Sequence, residues 1–251
     1  MAQPLTDAIE ALTTYANTVT GASDTTLSDA VATLAAGYGG GGTPEVLPAE
    51  YTAVNYVQNS GDAYINTGIH EYPDAITAIE GRFEAHNASS SNARTMFGYQ
   101  GNPVGTYRFT AQISTSNALQ YYGAQSGTGN INGWNASGAN DISIDFTQNA
   151  TYPVWKVNNT TTTGNKRKTT GANSTWAMYL MVGNYQNGVL AADQAVDGSY
   201  IRCYDFKMYC YDILVRHFVP CIRNADNKVG FYEFHTETFY PSIGANEFTS
   251  G

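Results

Sequence analysis

Two carboxylates four residues apart, Asp141 and Asp145, come nearest in this chain to the type and spacing that acid–base chemistry needs. In the alternating stretch Asp141-Ile142-Ser143-Ile144-Asp145 both fall on one strand face. At about 3.3 Å per residue their Cα atoms lie roughly 13 Å apart. A carboxyl pair that cleaves a glycosidic bond works at about 5–9 Å. The spacing therefore reads as solvent-facing strand acids. The histidines, His70, His86, His217 and His235, are scattered, and no local motif builds a nucleophile and base around them. Neither a phosphate-binding glycine loop nor a dinucleotide fingerprint occurs. The expectation is a protein that is not an enzyme.

Recognition is easier to build from these residues than catalysis. A sugar presents an apolar ring face and a rim of hydroxyls, so its site needs an aromatic platform with amides or carboxylates around it. The candidate ligand-binding residues are Tyr121, Tyr122, Asn132, Trp134, Asn135, Asn184, Tyr185 and Asn187. The loop Gly127-Thr128-Gly129-Asn130-Ile131-Asn132-Gly133-Trp134-Asn135 is the best single candidate. Trp155 and Trp176 sit inside strand patterns and read as core.

Composition narrows the partners. Of 251 residues 13% are charged and 42% hydrophobic, and 19 are Tyr. Polarity comes mainly from Asn, Thr, Ser, Gln and Gly, which suits strands with hydroxyl and amide faces joined by turns. The net charge is -9. Six of the acids and no Lys or Arg fall in residues 1–50, and the rest of the chain is near balance. Nucleic acid is excluded as a partner, because phosphate tracking needs a basic surface. The one basic cluster, Lys166-Arg167-Lys168, reads as a solvated hairpin loop. Cys203, Cys210 and Cys221 lack metal-site spacing and read as buried small hydrophobes. No disulfide is expected between Cys203 and Cys210, which fall on opposite faces of an alternating strand if no bulge intervenes. No run of 18 apolar residues crosses a membrane, and no basic-then-apolar leader marks a signal peptide.

Three segments must position these residues. Leu5, Ile9, Leu12, Ala16 and Val19 form an apolar stripe at helical spacing, closed by Gly21. Leu27, Val31 and Leu34 form a second, with Thr26 and Asp29 as a capping pair. Residues 1–38 are thus expected to be a helical arm, too short to stand alone. Gly39-Gly40-Gly41-Gly42 opens a linker over residues 39–50. Residues 51–251 read as about twelve short strands with turn signals, a sandwich or jelly roll without βαβ crossovers. Tyr56 to Gln58 and Ala63 to Asn66 flank Ser60-Gly61-Asp62 as a hairpin-like turn.

The stretch "YVQNSGDAYINTGI" near residue 56, with "FKMYCYDILVRHFVPCIRNADNKVGFYEFHTETFY" and "NEFTSG" at the end, resembles a known module. It is similar to the concanavalin A-like (laminin-G-like) lectin jelly rolls of phage and prophage structural proteins, over about residues 50–251. The resemblance implies two antiparallel sheets, with the first and last strands together in one of them. Arg216, Phe218, Pro220, Cys221, Asp226, Gly230 and Tyr232 match its pattern. Tyr211-Asp212-Ile213, His217 and Glu233 depart from it, at loops more than in the fold. Glycosidases of related fold carry Glu-x-Asp patterns on one strand, and this chain has none.

What the resemblance implies is a non-enzymatic virion protein, a tail fibre or capsid decoration, whose jelly-roll head binds host surface glycans. Purely structural virion decoration and a polysaccharide-degrading glycoside hydrolase stay open as alternatives. Other virion proteins would be partners through the arm, and a host cell-surface polysaccharide through the head. A homo-oligomer is expected, with a trimer favoured, and no nucleic acid or membrane insertion. No cofactor is required; calcium, used by some relatives, would fall to Asp193 or Asp197.

Overall fold

A computed structural model describes residues 45–59, 62–69, 76–86, 93–100, 108–122, 129–148, 152–164, 177–182, 184–185, 189–190 and 200–251, with Thr13 and Thr26. The strands run β1 (Tyr51–Ala53), β2 (Val57–Gln58), β3 (Ile65–Asn66), β4 (Ile76–His86), β5 (Arg94–Gln100), β6 (Arg108–Ile113) and β7 (Leu119–Tyr122). There follow β8 (Gly129–Ile131), β9 (Asn140–Asp145), β10 (Val154–Val157), β11 (Thr160–Thr163), β12 (Tyr179–Leu180), β13 (Asn184–Tyr185) and β14 (Val189–Leu190). The last five are β15 (Tyr200–Cys210), β16 (Ile213–Arg223), β17 (Lys228–Glu233), β18 (Thr238–Pro241) and β19 (Thr249–Ser250).

They form two sheets. One has the order β11-β10-β9-β4-β15-β16-β17-β18, with β1 on β16 and β2 joining β15 to β19. The other has the order β14-β13-β5-β6-β7-β8, with β12 joining β5 to β3. The fold is a two-sheet, jelly-roll-like β-sandwich. The chain's early strand β2 pairs with its last, Gln58 against Thr249 and Val57 against Ser250.

Three expectations are corrected. Every element described is a strand, so an α-helical arm is not part of the described fold. Its two stripes span only a few turns each, too little to hold a helix without a partner surface. The helical backbone of Thr13 is one residue and no element. The remainder of residues 1–38 and the Gly39–Gly42 linker lie outside the described residues. Second, β2 and β3 do not pair as a hairpin. They enter different sheets, because alternation alone places Val57 and Ile65 inward without saying against which layer. Third, the second sheet is mixed, for β13 runs parallel to β5, with Asn184 beside Tyr99.

Aromatic rings join the layers. Phe97, Phe109 and Tyr121 project from one sheet, and Phe83, Phe206 and Trp155 from the other, all of them buried. Phe97 meets Phe206 at 5.2 Å between centroids, and Tyr121 meets Trp155 at 5.3 Å. Each such ring contributes about 1.5–3 kcal/mol by leaving water. Asn59 fastens the layers at one end: its amide donates to the Met181 carbonyl at 3.1 Å and accepts from the Ile201 N–H at 2.7 Å. All three cysteines are buried and none is in a disulfide. Burial pushes the Cys221 thiol up to about 12 and Cys203 well above its usual value.

Buried polar groups set the long hairpin of β16 and β17. Glu233 is wholly buried, and its carboxylate accepts the N–H groups of His217, His235 and Thr236 and the Thr236 hydroxyl, at 2.7–3.1 Å. Opposite it, His217 Nε2 lies 2.6 Å from Asp205 Oδ1. Asp62 fixes the C-terminal loop by accepting from Ala245 N, Asn246 N and Asn246 Nδ2. Burial would raise its pKa, but those hydrogen bonds outweigh it and hold the carboxyl below its usual 3.8. A depressed folded pKa means the contribution is present above 3.8 and is lost as the pH falls through the lower folded value. Hydrogen exchange at Ala245 and Asn246 is therefore expected to accelerate below that range, and in Asp62→Asn at neutral pH. Unchanged protection in both would contradict this role for Asp62.

Candidate functional site

The two sheets turn chemically different faces away from the core. On the larger sheet, cross-strand rows alternate in charge: Lys207, Glu80, Ser143 and Lys156 in one, Asp205, Arg82 and Asp141 in the next. Arg82 lies 3.8 Å from Asp141, and Arg202 lies 3.3 Å from Glu84. A groove of about 330 Å³ runs here, lined by Glu80, Asp141, Ile142, Ser143, Lys156 and Asn158. Asp141 is an exposed, ion-paired strand acid. Asp145 closes a turn, accepting from the Thr147 hydroxyl and from the N–H groups of Thr147 and Gln148. Burial opposes its ionisation, yet these bonds hold its carboxyl below the usual value.

One row on the corresponding face of the smaller sheet is made of uncharged amides and a hydroxyl. Thr95, Gln112, Gln120 and Asn130 stand in register across β5, β6, β7 and β8. Gln120 Nε2 donates to Asn130 Oδ1 at 3.0 Å, and Gln112 Nε2 makes a looser 3.5 Å contact with Gln120 Oε1. Gln112 is buried, Gln120 half-buried and Asn130 exposed, so the row opens toward β8.

The loop that follows β8 is clamped. Asn140 is wholly buried; its Oδ1 accepts Asn135 N at 2.6 Å, and its Nδ2 donates to the carbonyls of Asn135 and Gly138. Asn158 Nδ2 donates to Asn140 Oδ1 and to the Gly133 carbonyl, while Asn158 Oδ1 accepts Asp141 N. Gly133 has φ +89°, and a Cβ there would sit 2.7 Å from Thr160 Cβ and 2.8 Å from the Val157 carbonyl, so only glycine fits. The clamp leaves Asn132 and Asn135 exposed and Trp134 half-buried. The Trp134 Nε1–H is buried without a hydrogen-bond partner.

The structure divides the sequence-predicted residues. Asn132, Trp134 and Asn135 come together on the clamped loop. Asn184 and Tyr185 lie in β13, four strands across the sheet from β8 and about 19 Å away at the usual strand spacing. Tyr122 is paired with Thr110, and its side chain lies outside the described residues, as do Asn187, Asp193 and Asp197. Tyr121 is only 1% exposed and packs on Trp155. It belongs to the core, because its register partner Ala111 faces inward. Its hydroxyl is buried without a partner, and burial first, then the nearby Tyr99, pushes its pKa upward. Tyr121→Phe is therefore expected to leave stability unchanged or raise it by up to about 1 kcal/mol in urea unfolding. A loss of that size would contradict the placement.

Gln120 and Asn158 were not separable from other polar residues by sequence pattern, whereas Asn130 lies in the Gly127–Asn135 stretch that the sequence singles out. Among the described residues, no group of three or more His, Cys, Asp or Glu could hold a metal ion. No described helix is long and apolar enough to cross a membrane.

No family model and no curated protein matches the sequence. Solved structures do. Ruminococcus gnavus IT-sialidase CBM40 matches at TM-score 0.42 and 7% identity, over 61% of this chain and 90% of that one. The same module bound to alpha2,3 sialyllactose matches at 0.42 and 8%, over the same shares. Trypanosoma rangeli sialidase matches at 0.39 and 10%, over 65% of this chain and 31% of that one. At these identities and TM-scores the likenesses carry no argument about ligand or activity. The class that the strands and sheets define is a two-sheet, jelly-roll-like β-sandwich.

Proposed function

We propose that this chain is a non-enzymatic glycan-binding protein whose contacts come from the loop after β8. The observation that carries the reading is the clamped loop itself. Asn132 and Asn135 are exposed beside the half-buried indole of Trp134, with Asn130 and Gln120 at the adjoining sheet edge. Side-chain amides donate and accept at once, as sugar hydroxyls do, and an indole offers an apolar platform. A preorganised loop loses little freedom on binding, which favours affinity. The setting we propose is a virion, with the protein as a homo-oligomeric tail or capsid component that contacts host surface polysaccharide. What supports that setting is the resemblance of the chain's end stretches to phage lectin-like modules.

The test is a glycan array probed with the full chain, followed by titration of the best ligands. Saturable binding that weakens at least about tenfold in Trp134→Ala is expected, as for an aromatic anchor. Absence of binding at millimolar ligand would defeat the reading. The virion setting is checked separately by mass spectrometry of purified particles, where absence of the chain would count against it.

A further inference from the structure

Resting on the glycan-binding reading, we infer that the ligand of this loop is an uncharged glycan, not one bearing carboxylate or phosphate. Residues 129–140 contain no charged side chain at all. The polar groups offered are amides: Asn130, Asn132 and Asn135, with Gln120 beside them. A carboxylate or phosphate is acceptor-only and calls for converging cationic donors, best supplied by Arg in bidentate form. A neutral hydroxyl, being donor and acceptor together, matches an amide without any net charge.

The nearest ionic groups among the described residues do not alter that balance. Asn158 both holds Gly133 and lines the groove on the larger sheet. The charges lining it are Glu80 and Asp141 against Lys156, and Arg82 beside it is already drawn to Asp141. An anionic ligand reaching across would meet two carboxylates as readily as two cations. The basic stretch Lys166-Arg167-Lys168 lies outside the described residues.

The experiment titrates the full chain with neutral oligosaccharides (glucan, galactan, mannan and N-acetylglucosamine oligomers) and with anionic counterparts (polygalacturonate, hyaluronan and a glycerol-phosphate polymer). Each is measured at about 50 mM and about 500 mM NaCl, which changes the screening length severalfold. The expected result is binding to a neutral member, with Kd changing less than about twofold between the two salts. Asn132→Ala, at an exposed position, is expected to weaken that binding several-fold while leaving the unfolding midpoint unchanged. Tightest binding to an anionic member, falling more than about tenfold in high salt, overturns the inference and leaves the glycan-binding reading standing. Binding to no member overturns the glycan-binding reading, and the inference with it.

Discussion

Asn140→Ala is expected to lower the unfolding free energy by about 2–4 kcal/mol and to release the loop after β8. The side chain is wholly buried and makes three bonds to backbone, one to Asn135 N and two to the carbonyls of Asn135 and Gly138. Each bond contributes about 1 kcal/mol net, but each partner left buried and unpaired costs about 1–3 kcal/mol. Asn158 also loses its acceptor on Asn140. The isosteric Asn140→Asp keeps the acceptor and removes both donors, so two carbonyls would then face a carboxylate. It is expected to be no milder than the alanine variant. Urea unfolding of both variants measures the loss, and hydrogen exchange at Asn135 measures the loop. A change under about 1 kcal/mol with intact protection would mean that the clamp does not hold the loop.

Glu233→Gln is expected to cost a similar amount, about 2–4 kcal/mol, in β17, four strands across the larger sheet from β9. Four donors converge on its two carboxylate oxygens and no acceptor does. A glutamine keeps one acceptor oxygen and turns the other into a donor, which must then face two of those donors. The pair it faces depends on the amide orientation: His217 N with His235 N, or Thr236 N with its hydroxyl. Either way the connection between β17 and β18 loses its anchor. Because the carboxylate is fully buried, the loss is expected to persist in high salt, unlike that of an exposed ion pair. Chemical denaturation of wild type and variant at low and high salt is the measurement. Equal stability would show that the donors find other acceptors.

Much of the scaffold was legible from alternation. The burial of β15 alternates almost residue by residue, with Ile201, Cys203, Phe206, Met208 and Cys210 inward and one shift at the bulge between Cys203 and Asp205. Trp155 reads as core from its strand, and it is core. Alternation runs out where tertiary register decides. Tyr121 and Tyr122 are the same residue type in the same strand, and only the pairing with an inward Ala111 assigns Tyr121 to the interior. Local pattern likewise made a hairpin of β2 and β3, whose partners at Tyr179–Leu180 and Arg202–Cys203 lie far along the chain in different sheets.

Part of the candidate site was legible for a different reason. Glycine and asparagine around one tryptophan mark an exposed loop, and Asn132, Trp134 and Asn135 stand on one. Composition does not separate an asparagine that faces solvent from one that holds the loop, so Asn140 and Asn158 looked like Asn132. Nor does it give distance across a sheet. Asn184 and Tyr185 share the loop's residue types and sit at the far side, beyond β5, β6 and β7.

The central claim, that the clamped loop after β8 recognises glycan, is tested most directly by isothermal titration of one array-selected ligand. Wild type, Trp134→Ala and Tyr121→Phe are compared at equal folded fraction. Trp134→Ala is expected to raise Kd by at least about tenfold while Tyr121→Phe leaves it unchanged. Unaltered affinity in Trp134→Ala would contradict the account and place recognition elsewhere on the sandwich.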